Sequence, residues 1–148
     1  MAYKRPMFKK KKDGSNTTKK YKNKKVEYNG LTFDSTKEFK RYMFLKEQED
    51  RGVISGLERQ IKYELIPSIK EDYVEHLKTK DKIKTRTLQL AITYTCDFKY
   101  MYDGKEVIED VKASPKMIPN DYILKEKLMF WRYGIRIKRV YKPTENIG

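Results

Sequence analysis

Hydrophobic and polar positions recur along this chain with two different periods, and the places where the period changes mark its elements. The first helical period follows Phe33-Asp34-Ser35-Thr36-Lys37-Glu38, a Ser three residues before a Glu, and continues through Phe39, Tyr42, Met43 and Leu45. It predicts a helix from about Ser35 to Arg51, ended by Gly52. Ile61, Tyr63 and Leu65 then alternate with Gln60, Lys62 and Glu64, which predicts a strand from Leu57 to Leu65 with one wet face, closed by Pro67. The stretch to Lys84 is charged and lacks a clear period; it is expected to be a loop or a mobile extension of the neighbouring strands.

From about Thr87 to Tyr102 the alternation is long and regular. Leu88, Leu90, Ile92, Tyr94, Cys96, Phe98, Tyr100 and Tyr102 hold the even positions, and Asp97 falls on the more polar face. Asp103-Gly104 tolerates the two positive φ angles of a type I′ turn, so a hairpin returns from Lys105 to about Ala113, where Ser114-Pro115 stops it. Asn120 or Asp121 then caps a helix carrying Ile123, Leu124, Leu128, Met129 and Trp131 and ending at Gly134; these apolar side chains, Trp131 included, read as core and not as a platform for stacked bases. Ile135 to Tyr141 has strand composition. The predicted order is α-β-β-β-α-β, an α/β domain.

The two-residue turn fixes a register with a chemical consequence. Tyr102 faces Lys105, Tyr100 faces Val107, Asp97 faces Asp110 and Thr95 faces Lys112. Like charges directly opposed across a hairpin are destabilising, so something must compensate. A divalent cation between two carboxylates does so, and the hard oxygen donors favour Mg²⁺, with Mn²⁺ able to substitute. Lys112 projects from the same face as Asp110. Two acids, a metal and a lysine are the equipment for phosphodiester hydrolysis. The same spacing also fits a solvated face in which Lys112 screens the acids and nothing is bound.

Charge changes the picture at one end. The net charge is +14, yet residues 1–25 hold 11 Lys or Arg and one acid, while the remaining 123 residues hold 24 bases and 20 acids. A leader so polar cannot offset its ordering entropy by burial, so residues 1–25 are expected to be a flexible basic arm and residues 26–148 a single domain. Lys9, Lys10, Lys11, Lys12, Lys19 and Lys20 suit the phosphates of DNA, although a solubilising terminus or a membrane-surface contact has the same composition. The chain shows neither a span of apolar residues for a membrane nor a signal peptide, so an intracellular, non-secreted protein is expected. One cysteine, Cys96, and one histidine, His76, exclude an internal disulfide and argue against a zinc centre or a Ser-His-Asp triad.

Tyr94-Thr95-Cys96-Asp97-Phe98 followed by Ile108-Glu109-Asp110-Val111-Lys112 resembles the bipartite signature of the PD-(D/E)xK nuclease superfamily, and in particular a family of small phage-encoded proteins assigned to it. The resemblance spans about Tyr28 to Val140. It implies a restriction-endonuclease-like core with a central mixed sheet flanked by helices, in an enzyme of the host cytoplasm. It also implies that Asp97 and Asp110 ligate Mg²⁺, that the Val111 carbonyl adds a ligand and that Lys112 is catalytic. The acid in the first helix of many such nucleases falls on Glu38, as catalytic residue and metal neighbour; capping alone would also explain Glu38. Lys116, Lys125 and Lys127 fall where the superfamily approaches the DNA backbone, or else on a solvated surface, and Gln60 borders the site.

Two departures stand out. Cys96 replaces the usual Pro, and the second acid is the short Asp110 with Glu109 beside it, so a shift of one residue would turn Glu109 inward. The expected function is a Mg²⁺-dependent DNA endonuclease with no organic cofactor and no membrane partner. With no sequence-reading appendage legible, structure-selective cutting of branched DNA or Holliday junctions is expected, by a homodimer. The competing expectation is a non-catalytic nucleic-acid-binding protein that uses the basic arm.

Overall fold

The computed structural model describes residues 24–148, so the arm lysines Lys9, Lys10, Lys11, Lys12, Lys19 and Lys20 lie outside the described residues. The first described element is a small hairpin, β1 (Val26–Tyr28) and β2 (Leu31–Phe33), turning on Asn29 and Gly30 with φ of 48° and 75°. Asn-Gly is the strongest short hairpin signal there is, and the periodicity reading passed over it.

Helix α1 (Thr36–Asp50) follows, close to its predicted bounds. Ser35 caps it, its hydroxyl accepting from the Glu38 N–H at 3.1 Å. The Glu38 carboxylate accepts from the Asp34 N–H at 3.0 Å, one residue further back than a capping box requires. The buried face differs from the apolar pattern: Glu38, Arg41, Leu45 and Gln48 are buried, whereas Met43 is exposed.

The two predicted long strands are each bent, and they bend together. The first comprises β3 (Ser55–Arg59) and β4 (Lys62–Ile66), broken at Gln60 with φ 53°. The second comprises β7 (Ile92–Thr95) and β8 (Phe98–Tyr102), broken at Cys96 and Asp97. Backbone bonds stitch the two breaks, Gln60 N–H to the Asp97 carbonyl and Cys96 N–H to the Ile61 carbonyl. Between β4 and β7 the charged stretch forms a hairpin ribbon, β5 (Ile69–His76) and β6 (Asp81–Gln89), antiparallel over nearly its whole length. The loop alternative for this stretch is thereby replaced by strands. The long strand expected from Thr87 is shortened: Leu88 and Leu90, assigned to its apolar side, are 57% and 78% exposed, because that segment belongs to the ribbon and its connection.

β9 (Lys105–Val111) pairs with β8 in the predicted register, Phe98 opposite Glu109, Tyr100 opposite Val107 and Tyr102 opposite Lys105, around a turn with φ of 48° and 70° at Asp103 and Gly104. The ladder ends at Phe98 and Glu109, so Asp97 and Asp110 are not ladder partners and Thr95 pairs with Lys62 instead of Lys112. Helix α2 (Asn120–Tyr133) ends on Gly134 in the left-handed conformation, as expected, but starts on Pro119 with no side-chain cap, so neither Asn120 nor Asp121 caps it. β10 (Lys138–Val140) runs parallel to β9. Bent strands counted once, the order α-β-β-β-α-β stands, with the hairpin and ribbon added.

The result is a mixed α/β domain built around a four-stranded sheet, β10-β9-β8-β3. β9 lies inside it and is covered on both faces. Val107 and Val111 pack with Leu45, Phe98 and Tyr100 on the α1 side; Ile108 packs with Tyr94, Cys96, Tyr122 and Met129 on the α2 side. Cys96 and Phe98 belong to different clusters although both hold even positions, so the break at Asp97 switches the faces of the second strand. α2 turns Tyr122 and Met129 inward. Trp131, expected in the core, is 78% exposed, and Leu124 and Phe130 are exposed as well.

Candidate active site

Alternation along β9 sends Glu109 and Asp110 to opposite faces, and their surroundings are opposite in kind. Glu109 points toward α1 and is fully enclosed. Arg41 donates to it twice, Nε to Oε2 at 2.8 Å and Nη2 to Oε1 at 2.5 Å, and the Tyr100 hydroxyl donates at 2.6 Å. A carboxylate so occupied is structural.

Asp110 points toward α2. Its Oδ2 lies 2.7 Å from Lys112 Nζ, and that ammonium sits 3.8 Å over the Tyr122 ring. Asp97 approaches from the break between β7 and β8. Its N–H bonds the Glu109 carbonyl, and its Oδ2 accepts from the Val111 N–H at 2.7 Å, taking the place of a ladder partner that the bent strand no longer offers. Strand geometry puts the Val111 carbonyl on the same edge as its N–H.

The cost of this arrangement falls on Asp97. Burial first, then the charge of Asp110, push its carboxyl up to about 8; the Val111 N–H opposes them. Glu38 is 4% exposed and adds to the negative field at Asp97. Its own carboxyl is raised, by burial above all, against the hydrogen bond from Asp34. Gln60 Nε2 donates to Glu38 Oε1 at 3.3 Å and Arg59 lies 3.6 Å from the same oxygen while stacking on Phe33. Lys37 Nζ reaches the carbonyls of Lys112 and Ala113, which fastens the first turn of α1 to the end of β9. Gln60 holds the positive φ that glycine usually supplies, and such strain concentrates at functional sites.

Asp110 and Lys112 open onto a cleft of about 410 Å³ shared with Thr93, Thr95, Tyr122 and Lys125. Tyr94 and Tyr122 hydroxyls are buried without a hydrogen-bond partner among the described residues, and burial followed by the Asp110 charge raises both phenols. Of the lysines expected at DNA, Lys125 lines the cleft; Lys116 is exposed on the connecting loop, and Lys127 borders a separate depression with Phe130 and Arg136. The site thus gathers Asp97, Asp110, Val111 and Lys112, with Glu38 beside Asp97. Lys37, Arg59 and Tyr122 were missed by the sequence reading; only the contiguity of Arg59 with Gln60 could have drawn attention to any of them.

These donors suit a hard divalent cation. Asp97 Oδ2 is engaged by the Val111 N–H and Asp110 Oδ2 by Lys112, and the two carboxyls lie within reach of each other, with the Val111 carbonyl nearby. Among the described residues no group of three His, Cys, Asp or Glu converges as a metal cage.

A pH prediction follows for the metal-free protein. Asp97 keeps its proton in the folded state to about pH 8 but loses it near 3.8 when unfolded. The folded state therefore binds more protons between those values, and the contribution to stability is present below about pH 4 and declines toward pH 8. Chemical denaturation in chelator should show this decline in the wild type relative to Asp97→Asn. A difference between the two that is independent of pH would contradict it.

A family model described as "Protein of unknown function (DUF1064)" matches residues 18–144, and the chain belongs to that family. The match covers the whole of the secondary structure described above. Searches of curated proteins and of solved structures gave no match.

Proposed function

We propose, for this member of the family, a Mg²⁺-dependent DNA endonuclease of restriction-endonuclease-like architecture, with Asp97, Asp110 and Lys112 at its centre. The observation that carries the proposal is half-buried Asp97 beside buried Asp110, with Lys112 bonded to Asp110 at the mouth of a cleft. Ionising Asp97 beside Asp110 carries an electrostatic cost that a bound cation would offset.

Asp97, Asp110 and the Val111 carbonyl would hold the metal. A bound Mg²⁺ supplies Lewis acidity, which activates a water and offsets charge developing on the phosphate. The remaining work belongs to the protein. Val111 N–H fixes the rotamer of Asp97, and the Lys112 ammonium is held over the Tyr122 ring and against Asp110. Lys112 is then placed to orient the attacking water or to stabilise the phosphoryl oxygens by charge. Lys125, which also lines the cleft, supplies a second cation for the DNA backbone. Glu38 acts through the negative field it adds beside Asp97 and caps α1 with the same carboxylate.

The small domain and the superfamily resemblance support structure-selective cutting of branched DNA, which requires two active sites and hence a homodimer. A second reading, a non-catalytic DNA-binding protein, draws on the Lys112–Asp110 ion pair, which neutralises half of the acidic pair by itself. The two part on metal. The nuclease reading expects the purified protein to cleave supercoiled, linear or four-way-junction DNA in Mg²⁺ or Mn²⁺ and not in chelator; absence of cleavage on every substrate would sink it.

Two further variants separate the roles of Glu38. Ser35→Ala should cost about 1 kcal/mol of stability and leave cleavage intact, whereas Glu38→Gln should depress cleavage beyond its effect on stability. Equal behaviour of the two would reduce Glu38 to a cap.

A further inference from the structure

The β5–β6 ribbon is the part of the chain that the proposed chemistry does not use. It follows the β4–β7 ladder at the end away from the break at Asp97, so that ladder joins it to the candidate active site. Nearly every residue on both of its faces is exposed. β5 alone, eight residues at about 3.3 Å each, extends roughly 25 Å. A two-stranded ribbon packed on nothing is marginally stable in water, so its length calls for a partner.

The charges on the ribbon say which kind. Each of its acids is engaged from within: Glu71 by Arg86, Glu75 by Lys84, Asp72 by the Thr85 hydroxyl and Asp81 by His76. The bases are in excess, and the excess is at the tip. Leu77 N–H bonds the Lys80 carbonyl to close the turn; Lys78, Lys80 and Lys82 there are exposed and have no ion-pair partner among the described residues. An arm whose acids are each bonded within it, two of them to cations, and which carries three free ammonium groups at its end is complementary to a polyanion. The major groove of B-DNA, about 12 Å wide, admits a two-stranded ribbon.

We propose that the β5–β6 ribbon is a DNA-binding arm that enters the major groove of duplex beside the candidate active site, with Lys78, Lys80 and Lys82 on the bordering phosphates. The proposal rests on the reading of this chain as a DNA enzyme. It supplies the appendage whose apparent absence pointed to structure-selective cutting, and it gives the enzyme a hold on a duplex arm some distance from the scissile bond.

The test is equilibrium binding of full-length protein to a fluorescent duplex, in chelator so that no cleavage occurs, across a range of salt. Lys78→Ala/Lys80→Ala/Lys82→Ala is compared with wild type and with Lys40→Ala/Lys105→Ala/Lys142→Ala, which removes three exposed lysines elsewhere. All carry substitutions at exposed positions, and circular dichroism checks their folding. The tip variant should lose roughly 2 to 3 units of slope in log K against log salt and weaken most on duplex, less on single strands. An unchanged slope, or an equal loss in the control, would overturn the proposal. So would a change of oligomeric state confined to the tip variant in sedimentation, which would make the ribbon a contact between copies of this chain. Because binding is read without cleavage, failure here leaves the nuclease reading standing, and failure of wild type to cut DNA leaves this result standing.

Discussion

Lys112→Ala should lower cleavage by roughly 10²–10³-fold, the usual cost of removing a group that stabilises developing charge, and Asp110→Ala should lower it at least as far. Both variants should still bind DNA in chelator, since neither removes the ribbon or the basic leader. The reasoning is geometric. Asp110 and Lys112 share the α2 face of β9, 2.7 Å apart, and open onto the cleft. Glu109 supplies the control because it lies on the other face, bound by Arg41 and Tyr100. Glu109→Gln should act on stability and leave metal-dependent chemistry in the surviving folded protein. Rates at saturating DNA measure the comparison. Cleavage retained in Asp110→Ala, or lost only in proportion to folded protein, would remove the pair from the chemistry.

The largest effect on stability is expected at Arg41. Its side chain is fully buried, donates twice to Glu109, and uses Nη1 to hold the carbonyls of Pro143 and Glu145 at 3.0 and 2.5 Å. Arg41→Ala leaves buried Glu109 with only Lys138, 3.9 Å away, as a counter-charge and releases the segment after β10 from α1. Such losses cost about 3–5 kcal/mol, a fall in Tm on the order of 10–20 °C for a domain of this size. Adding Glu109→Gln to Arg41→Ala should recover part of the loss, since the stranded charge is then gone. Denaturant midpoints of the wild type, the two single variants and the double variant measure the coupling. A loss below about 1 kcal/mol for Arg41→Ala would mean that water reaches Glu109 and that this core is looser than its geometry implies.

What was legible in the sequence was what short-range rules govern. Asp103-Gly104 admits few turns, and from that turn the β8–β9 register follows as far as Phe98 and Glu109; Asp97 and Asp110 meet just beyond the ladder's end. The parity of Asp110 with Lys112 held for the same reason. What was not legible depends on contacts across the fold. The break at Asp97 arises because the β3–β4 strand bends at Gln60 opposite it, and no local pattern announces that Cys96 and Phe98 will serve different cores. Nothing local pairs Arg41 with Glu109, which lies 68 residues further along the chain. Trp131 misled: its helical spacing suggests core, but α2 is anchored through Tyr122 and Met129, which turns Trp131 to solvent. In the ribbon, charge hides the alternation, because salt bridges across the strands do the work that apolar pairs do elsewhere.

Titration of the metal-free protein with Mn²⁺, followed by the loss of its free-ion resonance signal, tests the centre most directly. Wild type should take up Mn²⁺, more tightly as pH rises toward 8 because Asp97 must give up its proton to bind, and Asp97→Asn/Asp110→Asn should not. Equal uptake by both proteins, or none by the wild type at pH 8, would contradict a metal centre at Asp97 and Asp110.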